Sequence, residues 1–145
     1  MRILFSPLGL SYGSLFSAIL LTKPDHVVVI TSTKAAENIP KVVEAAKKDH
    51  PHFTLEYHTI SDPFIGFIEG RGLARNIAKS EEQRAESVEY IVNLAGGTTA
   101  LQDAIQCIAR ALRAKEVAVI DRRSPGEQRQ NPFVVGELIE VPALD

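Results

Sequence analysis

Apolar residues along the chain alternate between two kinds of segment. Short runs rich in β-branched and aromatic residues predict strands at 2–5, 26–31, 53–59, 90–94, 117–121 and 133–141. Longer segments with apolar residues at helical spacing predict helices at 14–21, 38–48, 64–79 and 99–113, with an irregular lead-in at 33–37. In the last of these helices, Thr99 and Gln102 have the spacing of a capping box. The polar segment 122–131 is predicted to be a loop without room for a helix, so the final strand should pair antiparallel.

Strands that alternate with helices predict one α/β domain over residues 1–145. We expect a Rossmann-like, mostly parallel sheet of about six strands, with helices on both faces and the last strand antiparallel. The commonest order of the first five strands is 3-2-1-4-5, in which the chain changes direction between strands 1 and 4. The loops that follow these two strands should therefore border the crevice in which ligands bind.

These two loops are also the most unusual segments of the sequence. Residues 6–14 read Ser-Pro-Leu-Gly-Leu-Ser-Tyr-Gly-Ser, and residues 93–99 read Asn-Leu-Ala-Gly-Gly-Thr-Thr. Glycine permits close approach of a ligand to the backbone, and a helix start offers unpaired N–H groups, so both loops suit phosphate. No acidic residue precedes Asp25, and none lies between Tyr90 and Gln102. The alternative reading is that strand-to-helix turns simply favour Gly, Ser and Thr.

Motifs and composition exclude several classes of function. The first loop is not G-x-G-x-x-G, and the second strand ends in Thr31-Ser32 instead of an acidic residue, which disfavours NAD binding. No G-x-x-x-x-G-K-[ST] motif occurs, which disfavours ATP hydrolysis. A net charge of −2 argues against binding of long nucleic acid. The single cysteine, Cys107, and the lack of an apolar run of about 18 residues predict a cytoplasmic protein without a membrane segment.

The strand-Ser6-Pro7-Leu8-Gly9-Leu10-Ser11 element and the Asn93–Thr98 element together resemble the CARF family, the CRISPR-associated Rossmann-fold domains of type III systems. The Asp62-Pro63-Phe64 segment after the third strand is also similar to that family. The resemblance spans roughly residues 1–121. It implies a homodimer that binds cyclic oligoadenylate, because an even-membered ring can share the two-fold axis of an isologous dimer.

The resemblance also implies which residues act on the ring. An effector of the family often carries an R-x4-6-H motif, which this chain lacks. We therefore expect a stand-alone ring nuclease that cleaves cyclic oligoadenylate, with cyclic tetra-adenylate as the expected ring, without a metal or cofactor. Such cleavage would switch off type III CRISPR signalling. Candidate catalytic residues are Ser11, Thr99 and Arg122. Candidate ligand-binding residues are Ser6, Gly9, Leu10, Ser11, Tyr12, Asn93, Gly96, Gly97, Thr98, Thr99, Arg71 and Arg123. Family members often carry lysine where this sequence has Thr99, so an arginine is expected to replace that cation.

Two alternatives remain open from the sequence. The first is a non-catalytic sensor or sponge for cyclic oligoadenylate, or a CARF domain separated from its effector, which the missing lysine favours. The second is a Rossmann-like protein that binds another nucleotide or regulates transcription, although no helix-turn-helix follows the fold.

Overall fold

The computed structural model describes residues 1–84 and 86–142, and it contains the expected parallel sheet. The strands are β1 (Arg2–Leu8), β2 (His26–Ser32), β3 (Thr54–Ile60), β4 (Glu89–Asn93), β5 (Lys115–Ile120) and β6 (Glu137–Val141). Their order is β3-β2-β1-β4-β5-β6, with every pair parallel except β5 and β6, which are antiparallel. The predicted fold class and strand order are therefore confirmed.

Helices cover both faces of this sheet. They are α1 (Gly13–Thr22), α2 (Thr33–Ala36), α3 (Ile39–Lys47), α4 (Phe67–Glu82), α5 (Thr99–Leu112) and α6 (Pro125–Gln130). On one face, Leu15 and Ile19 of α1 and Val42 of α3 share a core with alternate residues of β1 and β2. On the other face, α4 and α5 cover the remaining residues of the same strands. The central strands are consequently apolar on both sides, which is typical of a parallel sheet.

Four local predictions differ from the structure. Residues 33–36, predicted to be an irregular lead-in, form the short helix α2, which the Ser32 side chain caps by accepting a hydrogen bond from the Ala35 N–H. Residues 125–130 form helix α6 instead of a loop, because Ser124 and Glu127 make a capping box and Pro125 occupies the first helical position. Helix α5 is capped by Thr98, one residue before the predicted cap, and the Thr98 side chain accepts a hydrogen bond from the Leu101 N–H. Strand β1 extends to Leu8, so the first loop is shorter than predicted.

None of the helices in the described residues is long and apolar enough to cross a membrane.

Candidate functional site

The two glycine-containing loops lie side by side on one rim of the sheet. They follow β1 and β4, which are adjacent and parallel, so both leave the sheet at the same edge. Their backbones are in contact, since a Cβ atom added to Gly9 would lie 2.9 Å from the Cα of Gly97. A side chain at either position would push the loops apart, which explains why glycine is needed where they meet.

Asn93, at the end of β4, connects the two loops through hydrogen bonds of its side chain. Its side-chain Nδ2 donates to Ser6 Oγ at 3.0 Å, to Ser14 Oγ at 3.2 Å and to the Ala95 carbonyl at 3.2 Å. Its Oδ1 accepts from the Ala95 N–H at 3.0 Å. Ser6 and Asn93 are both completely buried. These two residues were predicted to contact ligand, but the structure places them beneath the loops, where they hold the loops in position.

The second loop makes a sharp turn before α5. Gly96 and Gly97 have φ angles of 87° and 72°, a left-handed conformation that residues with a Cβ rarely adopt. The Thr98 hydroxyl caps α5 and also donates to the carbonyl of Pro63, in the loop before α4. The hydroxyl of Thr98 is therefore engaged within the protein, whereas Thr99 is exposed at the start of the helix.

Several backbone N–H groups on this rim have no hydrogen-bond acceptor within the described part of the chain. The N–H groups of Gly97, Thr98 and Thr99 donate to no acceptor within residues 1–84 and 86–142. The macrodipole of α5 adds partial positive charge at the same place. In the first loop, the exposed Ser11 hydroxyl forms no hydrogen bond with a described residue. The rim thus presents donors without internal partners, which is the arrangement that oxyanions bind.

A cavity of about 440 Å³ opens beside the first loop, on the α1 face of the sheet. One wall is formed by Leu10–Ser14, and the opposite wall by Asp121, Arg123 and α6. Ser14 connects the cavity to the second loop, because its hydroxyl donates to the Ala95 carbonyl at 3.1 Å. This volume is in the range of small-molecule sites in proteins.

Two hydrophobic candidates of the first loop lie at this cavity. Leu10 is 63% exposed and lines it without covering the core. Tyr12 also lines it, and its ring packs against Phe133 with the ring centroids 5.6 Å apart. One face of the Tyr12 ring is thereby used in packing.

The three arginines predicted at the site are all engaged in ion pairs. Arg71 pairs with Asp103 through two hydrogen bonds of 2.9 and 3.0 Å, between α4 and α5. The hydrogen bonds from Arg71 hold the pKa of Asp103 below its usual value. Arg122 pairs with Glu137 of β6 and does not line the cavity that Ser11 lines. The structure does not bring Arg71 and Arg122 to Ser11.

Arg123 does line the cavity, but its charge is neutralised there. Its guanidinium donates to both carboxylate oxygens of Asp121, at 3.0 and 2.7 Å, and these bonds lower the pKa of that carboxyl. It also donates to the Asn131 carbonyl at 2.8 Å. Arg123 therefore holds the segment around α6 in place.

Sequence reasoning missed the contribution of α6 and of the loop before α4. Pro125, Gln128 and Arg129 of α6 line the cavity, and Pro63 accepts the hydrogen bond from Thr98. A signal for α6 was present, since Ser124-Pro125-Gly126-Glu127 combines a capping box with proline at the first helical position. No sequence signal indicates the contact between Pro63 and Thr98, because it joins residues 35 positions apart.

No protein-family model matches this sequence, and no curated protein sequence matches it. Solved structures do match. Csm6 of Enterococcus italicus, bound to cyclic hexa-2'-fluoro-hexa-dAMP, superposes with a TM-score of 0.75 at 12% identity, over 99% of this chain and 42% of that one. Can2 of Sulfobacillus thermosulfidooxidans, in complex with cyclic tetra-adenylate, gives a TM-score of 0.66 at 13% identity, over 83% of this chain and 32% of that one.

A third structure, the protein VC1899 of Vibrio cholerae, matches with a TM-score of 0.69 at 14% identity, over 82% of this chain and 30% of that one. The chain spans less than half the length of each of these proteins. At such low identities the likeness shows a shared fold and nothing finer.

Proposed function

Because the chain has the fold of a CARF domain, we propose that it binds a cyclic oligoadenylate, most simply cyclic tetra-adenylate, and cleaves it in a type III CRISPR antiviral response in the cytoplasm. The observation that carries the proposal is the contact between the two loops at Gly9 and Gly97. Because the loops touch, the Ser11 hydroxyl of the first loop and the unpaired N–H groups at the start of α5 lie on one surface, which suits a polyanion. The ligands named for the Csm6 and Can2 structures support this class of molecule.

The rim and the cavity suit different parts of such a ligand. The N–H groups at the start of α5 suit phosphate, and the cavity between Tyr12 and α6 has room for a base. Ser11 lies where the first loop meets the cavity, so its hydroxyl is well placed to contact ribose or the adjoining phosphate. Ser11 is therefore the residue that we propose to act on the reacting group.

The proposed reaction needs neither a metal nor a cofactor. A ribose 2′-hydroxyl gives its proton to solvent water as its oxygen attacks the phosphorus of its own 3′-phosphate. The bond from phosphorus to the 5′-oxygen of the next nucleotide breaks, and that 5′-oxygen takes up a proton from water. The products are a 2′,3′-cyclic phosphate and a free 5′-hydroxyl. The protein contributes by holding attacking and leaving oxygens in line and by stabilising the charge on the other phosphoryl oxygens. Ser11 and the start of α5, including Thr99, can do this.

The decisive experiment is incubation of the purified chain with cyclic tetra-adenylate in EDTA, followed by chromatographic separation of the products. We expect linear products that end in 2′,3′-cyclic phosphate. Tight binding with an intact ring after hours would instead establish the non-catalytic sensor. The exposed Thr99, at the position where family members often carry lysine, is the observation that favours this second candidate. Absence of binding would reject both.

The proposal includes a homodimer, in which each copy offers its two loops to one ring. Its support is an apolar loop before and at the start of α4, where Phe64, Ile65 and Ile68 are 75%, 76% and 90% exposed. Exposed apolar clusters of this kind mark protein contacts. The flanking carboxylate of Asp62 accepts hydrogen bonds from the backbone N–H groups of Phe64 and Ile65, and its negative charge disfavours a phosphate at this loop. The Thr98–Pro63 bond places the apolar loop beside the rim.

Ile68→Glu should therefore weaken dimerisation at least about 100-fold, because a charge in the centre of an apolar contact costs several kcal/mol. Sedimentation equilibrium measures the change without any ligand. Ile139→Glu, on β6, is the matched control and should leave the dimer unchanged, since Ile139 is 43% exposed and far from the apolar loop in the strand order. Equal dimerisation of the two variants would contradict this assignment.

A further inference from the structure

A positive charge near the phosphates would strengthen binding of the proposed ligand, and the arginines predicted for this role are already paired with carboxylates. Arg71, Arg122 and Arg123 each pair with a carboxylate, two of them through paired hydrogen bonds. A guanidinium held by a carboxylate adds little net charge to a ligand site, and releasing it would leave the carboxylate to repel phosphate. The cation must come from elsewhere.

Arg129, in the last turn of α6, satisfies the requirement. It lines the same cavity as Ser11, and it forms no hydrogen bond or ion pair with any residue that the structure describes. The carboxylates near it are already engaged. Asp121 is held by Arg123, and Glu127 accepts from the Ser124 hydroxyl in the capping box. Nothing in the described cavity wall therefore competes with a phosphate for this guanidinium.

The scaffold around α6 keeps Arg129 in position. The Gln128 side chain donates to the carbonyls of Arg123 and Asp121, at 2.8 and 3.3 Å, which fixes α6 to the end of β5. Just beyond α6, the Pro132 carbonyl lies against Gly13, where an added Cβ would approach it to 2.8 Å. This contact sets α6 against the start of α1, which is the opposite wall of the cavity.

We infer that Arg129 is the cationic contact to a phosphate of the bound ring. It would take the place of the lysine that often follows the second glycine loop in the CARF family. The inference rests on the proposed function, and it adds a residue of α6 to the site. Arg129 approaches the ligand from the cavity side, whereas the N–H groups of α5 approach it from the other loop. The charge would thus reach the phosphate next to Ser11.

Calorimetric titration of the full chain with cyclic tetra-adenylate, in EDTA and over a series of salt concentrations, tests the inference. Arg129→Ala should weaken binding about 10-fold or more and reduce the slope of log affinity against log salt by about 0.7, the value for one phosphate contact on a single strand. Arg129→Lys should restore the slope. Arg110→Ala, in the last turn of α5, removes the same charge from an exposed position outside the cavity and should change affinity less than about 2-fold.

The inference would be overturned if Arg129→Ala kept the wild-type affinity and salt slope, or if Arg129→Ala and Arg110→Ala lost affinity equally. Either result would leave the proposed function intact. Failure of the wild-type chain to bind the ring would overturn the proposed function, and the inference with it. Arg129 is exposed, so loss of folding in the alanine variant is not expected, and circular dichroism checks this directly.

Discussion

Replacing Asn93 with alanine should destabilise the protein by about 3 kcal/mol and abolish ligand binding. The substitution removes four hydrogen bonds at a completely buried position and leaves Ser6 Oγ and the Ala95 N–H without those partners. Thermal unfolding should show a Tm lower by about 10 °C for a chain of this size. The loops that Asn93 connects would then be free to separate, so the donors would no longer converge on one phosphate.

Asn76→Ala is the matched control for this change. Asn76 is an exposed residue of α4 without a hydrogen-bond partner among the described residues, and its replacement should alter stability by less than about 0.5 kcal/mol. If Asn93→Ala unfolded at the temperature of Asn76→Ala, the hydrogen bonds from Asn93 would not be what holds the loops together. Binding measured well below the Tm separates the local effect from unfolding.

The second large effect is expected from Ser11→Ala, which should slow ring cleavage about 100-fold while weakening binding less than about 3-fold. The physical reason is that, in the proposed reaction, the Ser11 hydroxyl contacts the reacting ribose or phosphate when the attacking and leaving oxygens are in line. This hydroxyl is exposed at the cavity and forms no hydrogen bond with a described residue. Loss of a contact that strengthens only in the transition state lowers the rate constant and leaves affinity nearly unchanged. Single-turnover cleavage and calorimetric affinity, measured on the same preparation, give the two quantities.

Ser80→Ala is the control, because Ser80 is an exposed serine on α4, away from both loops. It should cleave at the wild-type rate. Equal losses of rate and affinity in Ser11→Ala would mean that Ser11 only binds the ring, and wild-type values of both would remove it from the site.

Much of the fold was predictable because it depends on local patterns. The buried runs of β1 and β2, the apolar stripe of α5 and the strand–helix alternation are properties of neighbouring residues, and few topologies accommodate them. The error at α6 came from reading 122–131 as polar and therefore irregular. A short helix without buried residues has no apolar stripe, and only its capping residues revealed it.

The candidate site was predictable in part. The two loops were identified from glycine and hydroxyl residues, and their shared rim follows from the strand order. The roles within them were not predictable, since Ser6, Asn93 and Thr98 look like ligand contacts in the sequence but use their side chains within the protein. The sequence likewise could not show that Arg71 and Arg122 form ion pairs whereas Arg129 forms none with a described residue. An ion pair joins residues whose proximity depends on tertiary packing.

The amino-acid sequence by itself determined the α/β architecture, the order of its strands and the position of two glycine loops, because hydrophobic periodicity and backbone freedom act over short distances. Only the tertiary structure decided which donors remain unpaired, which arginine at the cavity has no carboxylate partner among the described residues and which apolar residues stay exposed. Those properties depend on neighbours brought from distant parts of the chain, as the bond from Thr98 to Pro63 and the pairing of Arg71 with Asp103 show.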